Sequence, residues 1–473
     1  MKVLFATSEA YPFAMSGGLA DVSGALPKAL RKRFVGCRVV MPLYEAVSDE
    51  MRSKMKFITH ITVPVAWRRQ YCGIFEAHVD GVIYYLIDNQ YYFKRPNLYG
   101  HYDDAERFAF FSRAVLEIIP HIDFIPDVIH CNDWQTAMVP VYKTLFYNGD
   151  IYSNMKTVFT IHNIQYQGKY GKELLSDVLG VPDDRSDILE YEDCVNLMKG
   201  GIECADRVTT VSKTYAEEIL DPWFSYGLDG ILRERQYKLS GIVNGIDVDV
   251  YNPMTDPAIY KNYSVNDISG KLENKTSLQK ELGLPVSGSI PVIGIVSRLV
   301  GHKGLDLVKC VFEELLKADL QFVIVGSGEW VYETFFHEMS KKYPEKVAFR
   351  LGFIPTLAHK VYAAADMFLM PSKSEPCGLS QMVALRYGAI PIVRSTGGLK
   401  DTITDCGDLN GNGFTFVTYN AHDMEEAVWR AVGTYMDKEK WNSIVEVAMN
   451  CDNSWKRSSG EYLKIYKELT NKA

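Results

Sequence analysis

Residues 375–399, EPCGLSQMVALRYGAIPIVRSTGGL, carry a carboxylate, Glu375, and two glycine-bearing turns, one at Gly378 and one at Gly397-Gly398. Glycine at a strand-to-helix turn lets backbone N–H groups and a helix start face an anion. A third such turn, Ser16-Gly17-Gly18, stands near the other end of the chain. The pattern predicts a phosphorylated ligand gripped between two halves, with Glu375 toward its uncharged part. Arg298 and Lys303 bracket SRLVGHKG after a predicted strand. A guanidinium and an ammonium so placed can neutralise a diphosphate leaving group. Two cations at a turn are also ordinary surface charges, and the glycine turns are what favour the functional reading.

In the first half, TIHNIQYQG ends a strand with His162 and Asn163, and HCNDWQ ends another with Asp133 and Trp134. These four are expected to converge on one cleft edge, the alternative being a buried core histidine with its hydrogen bonds satisfied. Residues 88–108, DNQYYFKRPNLYGHYDDAERF, mix stacking faces with hydrogen-bonding groups, as sugar sites do and as packed loops also do. Gly326-Ser327-Gly328 reads as a structural turn. Asp247-Val248-Asp249 looks like a metal-binding pair but follows an N-G-I turn with no supporting cluster, so no metal is assigned to it. No phosphate-loop lysine motif, H-E-x-x-H or G-x-S-x-G occurs, which removes phosphate-loop kinases, zincins and α/β-hydrolases from consideration.

These residues must be held by alternating strands and helices. Strands are predicted over 3–6, 38–41, 128–130 and 157–162, and helices over 20–32 and 106–119. The pattern restarts after a polar stretch, 252–274, with strands over 291–296, 322–325, 347–351, 367–370 and 390–393 and helices over 305–317 and 332–342. Such alternation is the signature of parallel sheets flanked by helices, whose ligands bind beyond the carboxyl ends of the strands. Residues 57–88 read instead as consecutive strands, expected as a hairpin insertion. A last helix over 458–470 is assignable to either half. With 473 residues, 47% of them hydrophobic, two domains are expected. A net charge of -8 without a basic block argues against nucleic-acid and anionic-membrane partners. No membrane-length apolar run and no secretory start predict a cytoplasmic protein, and the nine scattered cysteines predict neither disulfides nor zinc.

At this point the motifs SGGLADVSGALP, HCNDWQT, FTIHNIQYQG, YGLDGIL, GIVNGID, VSRLVGHKGLDL, SEPCGLSQ and RSTGGLKDTI resemble those of bacterial glycogen synthases and plant starch synthases, over almost the whole chain. The resemblance implies an α/β fold of the GT-B type, two Rossmann-like domains facing each other across a deep cleft. The bounds would be 1–245 for the acceptor side, 246–455 for the donor side and 456–473 for a terminal helix packing back on the first domain. It implies transfer of glucose from ADP-glucose to the non-reducing end of an α-1,4-glucan, with retention and with neither metal nor pyridoxal phosphate. Carried over by motif, His162, Glu375, Arg298, Lys303 and Asp21 are expected at the chemistry. Gly17, Gly18, Asn244, Phe353, Cys377, Gly378, Leu379, Thr396, Gly398 and Leu399 are expected around the donor, and Asp133, Trp134, Asn163, Tyr99 and Tyr102 around the acceptor. The family's first turn usually carries a lysine where this chain has Met15. Two outcomes stay open from that change: an active enzyme with the remaining cations sufficing, or a weakened or silent glucan-binding paralogue.

Overall fold

Runs such as Val3-Leu4-Phe5-Ala6 are apolar at every position, which suits strands covered on both faces rather than one. Six strands form the parallel body of a nine-stranded sheet: β1 (Lys2–Ala6), β2 (Gly36–Pro42), β6 (Val128–Asn132), β7 (Lys156–Ile161), β11 (Arg207–Thr210) and β12 (Leu239–Gly241). The meander β3 (Lys56–Val65), β4 (Arg68–Val79) and β5 (Val82–Asp88) completes it, in the order β12-β11-β7-β6-β1-β2-β5-β4-β3. β3, β4 and β5 pair antiparallel, whereas β5 runs parallel to β2. The expected insertion is therefore the edge of the main sheet. Its outer strand is half-exposed, so its sequence alternates instead of running apolar. Three short strands, β8 (Lys169–Tyr170), β9 (Glu190–Tyr191) and β10 (Cys194–Asn196), make a separate small sheet.

A second sheet of six parallel strands has the order β15-β14-β13-β16-β17-β18. Its members are β13 (Val292–Val296), β14 (Gln321–Gly326), β15 (Val347–Leu351), β16 (Met367–Met370), β17 (Ile390–Arg394) and β18 (Phe414–Phe416). The computed structural model describes residues 1–352 and 354–471, and these divide into two compact units. One is Met1–Gly245 with the segment from Trp455, and the other is Ile246–Ser454. The terminal helix Trp455–Thr470 belongs to the first unit: Tyr466 donates to or accepts from His130 Nδ1 at 2.7 Å, and Arg33 Nε donates to Ser459 Oγ at 2.8 Å. That histidine is a satisfied core residue, with Nε2 at 2.6 Å from Thr160 Oγ1.

The polar stretch after residue 252 hides the start of a helix, Ser269–Leu282. Its buried face is polar because Lys271 Nζ donates to the carbonyls of Ala363, Ala365 and Tyr387, at 3.1, 2.8 and 3.0 Å. Asp247 Oδ1 accepts from the N–H groups of Asp249 and Val250, so that carboxylate caps a turn. Among the described residues the nine cysteines form no disulfide, no helix is long and apolar enough to cross a membrane, and no three His, Cys, Asp or Glu side chains are grouped as a metal site.

Candidate functional site

The candidate residues cluster where parallel strands end, the place such sheets offer to ligands. In the second unit β13 runs into Ser297 and Arg298, then a short turn, Gly301–Lys303, and the helix Leu305–Leu315. Arg298 is exposed and makes no ion pair among the described residues. Gly304, at φ 74°, is the one residue that fits before that helix, since a Cβ there would stand 2.0 Å from the Pro371 carbonyl oxygen. That close approach brings Lys303 to the loop after β16, where its ammonium lies 2.7 Å from Glu375 Oε2. Ser372 Oγ donates to the same oxygen at 2.9 Å. Burial pushes the Glu375 carboxyl upward, but the Lys303 charge and hydrogen bond, with Ser372 and His302, bring it below the usual value. Burial and the neighbouring ammonium lower His302 to about 4, so it is neutral at physiological pH.

The Gly397-Gly398 turn, read from sequence as an anion cradle, does something else with its second glycine. The Gly398 N–H donates to the carbonyls of Glu375 and Pro376 at 3.1 and 3.2 Å, and the Leu399 N–H donates to Thr396 O at 3.0 Å. The turn after β17 is thus fastened to the turn after β16, and the N–H groups of Gly398 and Leu399 are both taken by carbonyls. A Cβ on Gly397 would stand 2.0 Å from Glu375 O, and one on Gly398 2.1 Å from Cys377 O. Gly398→Ala is accordingly expected to cost about 1–3 kcal/mol by forcing the two turns apart, read as a lower Tm in thermal unfolding. Thr396 and Leu399 are buried, as is Cys377. At the first turn Gly378 has φ 71°, and the helix Ser380–Arg386 follows Leu379 with no side chain capping its start.

Gln381 was not anticipated. Its Nε2 donates to Cys377 O, Gly378 O and Thr402 Oγ1 at 3.0, 3.0 and 3.1 Å, tying both turns together. Its Oε1 is buried without a partner. The only signal was its place three residues after Gly378, on the face of the helix that looks back at the turn. Phe353 lies outside the described residues.

In the first unit Asp133, at φ 56° just past β6, organises the site. Its Oδ1 accepts from the N–H groups of His162 and Asn163 at 2.7 and 3.3 Å, fixing the backbone beyond β7. Burial raises this carboxyl to about 7. His162 Nε2 lies 2.9 Å from Asn132 Oδ1, while Asn132 Nδ2 donates to Ala6 O. The amide oxygen is therefore an acceptor, and the proton sits on Nε2 of a ring that burial keeps neutral, with its pKa lowered to about 3. The His162 carbonyl accepts no hydrogen bond among the described residues. Asn163 Oδ1 accepts from Gln165 N at 3.0 Å and shapes the turn. Asn244, beyond β12, is buried with an unpartnered Oδ1.

Trp134 is 8% exposed, its ring packed edge-to-face on Phe108 at 5.2 Å and covered by Gly168, where a Cβ would stand 2.6 Å away. Its ring thus supports the surrounding loops. Tyr99 packs its ring on Phe108 and its hydroxyl on Ser8 at 2.7 Å, whereas Tyr102 is almost fully exposed.

At the Ser16-Gly17-Gly18 turn the structure departs again from the expected cradle. The N–H and hydroxyl of Ser16 and the N–H of Gly17 are hydrogen-bonded to the carboxylate of Glu9, a buried residue the sequence did not single out. The helix Gly18–Arg31 starts there, with Asp21 in its first turn, raised to about 6 by burial. Met15 is half-exposed.

Comparison with known proteins fits these two half-sites. The family described as starch synthase catalytic domain matches residues 2–234, and glycosyl transferases group 1 matches residues 284–443. Glycogen synthases of Geobacillus thermodenitrificans and Clostridium botulinum are each 52% identical to the chain, covering 100% and 99% of it and 98% and 100% of themselves. The catalytic domain of starch synthase IV from Arabidopsis thaliana, solved with ADP and acarbose, superposes with a TM-score of 0.93 at 35% identity over 99% of both chains. A sucrose-phosphate synthase from Thermosynechococcus elongatus shares the fold, with a TM-score of 0.63 at 16% identity. With both halves matched and near-complete coverage at this identity, the chain has the GT-B fold and belongs to the glycogen and starch synthase family of glycosyltransferases.

Proposed function

We propose that the protein transfers glucose from ADP-glucose to the non-reducing end of an α-1,4-glucan with retention of configuration. The carrying observation is the Lys303 and Glu375 pair at the glycine turns, beside an unpaired Arg298. Arg298 and Lys303 take the diphosphate as it leaves, and Glu375, held as a carboxylate, accepts hydrogen bonds from glucose hydroxyls. Gly378 and Leu379, at the uncapped helix start, face the phosphates. The open His162 carbonyl, positioned by Asp133, lies toward the sugar carbon where positive charge develops. Asn244 and Asp21 orient the donor sugar, and Asn163, Tyr99 and Tyr102 belong to the acceptor side. Neither Glu375, which is paired, nor Asp133, which is spent on two backbone N–H groups, is a free carboxylate nucleophile. That favours same-face attack, in which the acceptor hydroxyl bonds to the sugar carbon as the bond to ADP breaks and the departing phosphate takes its proton. The protein works in the cytoplasm and needs no metal.

Incubation with radiolabelled ADP-glucose and glycogen tests this directly. Incorporation into polymer is the expected result, and glycogen binding without incorporation would sink it. Met15→Lys is expected to raise kcat/KM for ADP-glucose, because an ammonium about 4 Å from a phosphate contributes up to ~4 kcal/mol at an effective dielectric of 20 and less where water screens it. Unchanged kinetics would show that this position does not limit the reaction.

A further inference from the structure

From residue 3 to residue 27 the chain contains no lysine or arginine, and its two acidic groups there are Glu9 and Asp21. The structure places both at the start of the helix Gly18–Arg31, where the partial positive charge of a helix start draws anions. Glu9 fills that position from within. Its carboxylate collects the Ser16 and Gly17 donors that the first turn offers, and a hairpin-like fold of the intervening chain holds it there: Ala10 and Ala14 exchange backbone hydrogen bonds at 3.1 Å, and Tyr11 N donates to Ala20 O at 3.1 Å. The Thr7 hydroxyl, bonded to Ser23 and to Glu9 O, fixes the near end.

A phosphate approaching this turn therefore meets a carboxylate already on its donors, with a second acid one turn along the helix. Met15 supplies no charge to offset them. We propose that Glu9 is a positioning residue that makes donor binding proton-coupled: ADP-glucose binds with one proton taken up onto the Glu9 carboxylate. A neutral carboxyl keeps one oxygen as acceptor for the turn and presents an O–H that can donate to a phosphate oxygen. This rests on the reading that the turn meets the donor's phosphates.

The surroundings of Glu9 agree. Asp21 on the same helix, Asp133 beyond β6, Tyr44 after β2 and Tyr99 before the helix Asp104–Glu117 all interact electrostatically with it. The one cation in the set, Arg107, is bonded to Asp104 at 2.5 Å. Burial against these neighbours brings Glu9 to about 7, where a proton is exchanged near neutrality.

The test is ADP binding to the full chain by calorimetry at pH 7.5, in buffers of different ionisation enthalpy, beside KM for ADP-glucose from pH 6 to 8.5. Wild type is expected to take up a substantial fraction of a proton. Its KM should rise toward roughly ten-fold per pH unit above neutrality, with kcat changing far less. Glu9→Gln, which mimics the neutral carboxyl, should abolish the uptake and flatten KM. Should that variant fail to fold, Met15→Lys, with Glu9 intact, should likewise reduce the uptake and lower KM at pH 8. Proton-independent binding by wild type, or an undiminished slope in Glu9→Gln, overturns the proposal while leaving the donor reading in place. Failure of wild type to bind ADP overturns that reading and this one with it.

Discussion

Replacing Lys303 by alanine is expected to lower kcat/KM for ADP-glucose by 10²-fold or more and to destabilise the second unit. The two losses have different origins and can be separated. Lys303 and Glu375 form a pair with side chains 19% and 9% exposed. Removing one partner leaves the other charge buried without its counterion, which typically costs about 3–5 kcal/mol. Removing both with apolar or neutral groups of similar volume is often close to neutral. The double variant Lys303→Met with Glu375→Gln should therefore recover most of the lost Tm and none of the activity. Recovery of activity along with stability would show that the pair only holds the turns together. The pH dependence has a defined sign. Glu375 titrates below its ordinary value in the folded chain, so its contribution to stability is present above the unfolded value and is lost as pH falls through the folded one. In thermal scans the acid limb should be shallower once Glu375 is replaced.

The second large effect is at Asp133. Asp133→Ala removes the acceptor for the His162 and Asn163 N–H groups, and the His162 carbonyl then loses its fixed direction. A displacement of about 1 Å at a reacting centre can cost 10²-fold, and a loss of that order in kcat is expected, with KM for the donor less affected. Asp133→Asn keeps an oxygen for those donors and should stay within about ten-fold of wild type. Its stability should move the other way. Burial raises the Asp133 carboxyl to about 7, above its ordinary value of 3.8, so the folded chain binds more protons than the unfolded one between those limits. Stability then falls as pH rises from about 4 to 7, and Glu9 and Asp21, raised to about 7 and about 6, act in the same direction. Asp133→Asn should therefore raise Tm at pH 8 and leave it nearly unchanged at pH 4. A lower Tm for this variant at pH 8 would mean that the carboxylate charge is compensated by some other group.

The residues legible in the sequence share one property: their roles follow from local backbone geometry. Gly304 and Gly378 announce turns because only glycine accepts those φ values readily, and β1 and β14 announce themselves as covered strands by unbroken apolar runs. The helix Ser269–Leu282 has no apolar stripe in the sequence because its inward residues are polar. Lys271 there satisfies three carbonyls from two other segments, and no periodicity in one dimension records that. The edge meander 56–88 reads as strands from its pattern, but its place at the edge of the main sheet depends on β2, a partner elsewhere in the chain.

Composition and local pattern thus determined the two α/β halves, the glycine turns at strand ends and the kinds of charged group beside them, because these depend on dihedral preference and on hydrophobic period. Only the tertiary structure decided which donors are free. It assigned the Gly398 N–H to the Glu375 carbonyl, the Ser16 and Gly17 donors to the Glu9 carboxylate, and the faces of Trp134 to Phe108 and Gly168. A backbone N–H has the same chemistry in any glycine turn, and whether it meets a ligand or a neighbour is settled by what packs within 3 Å of it.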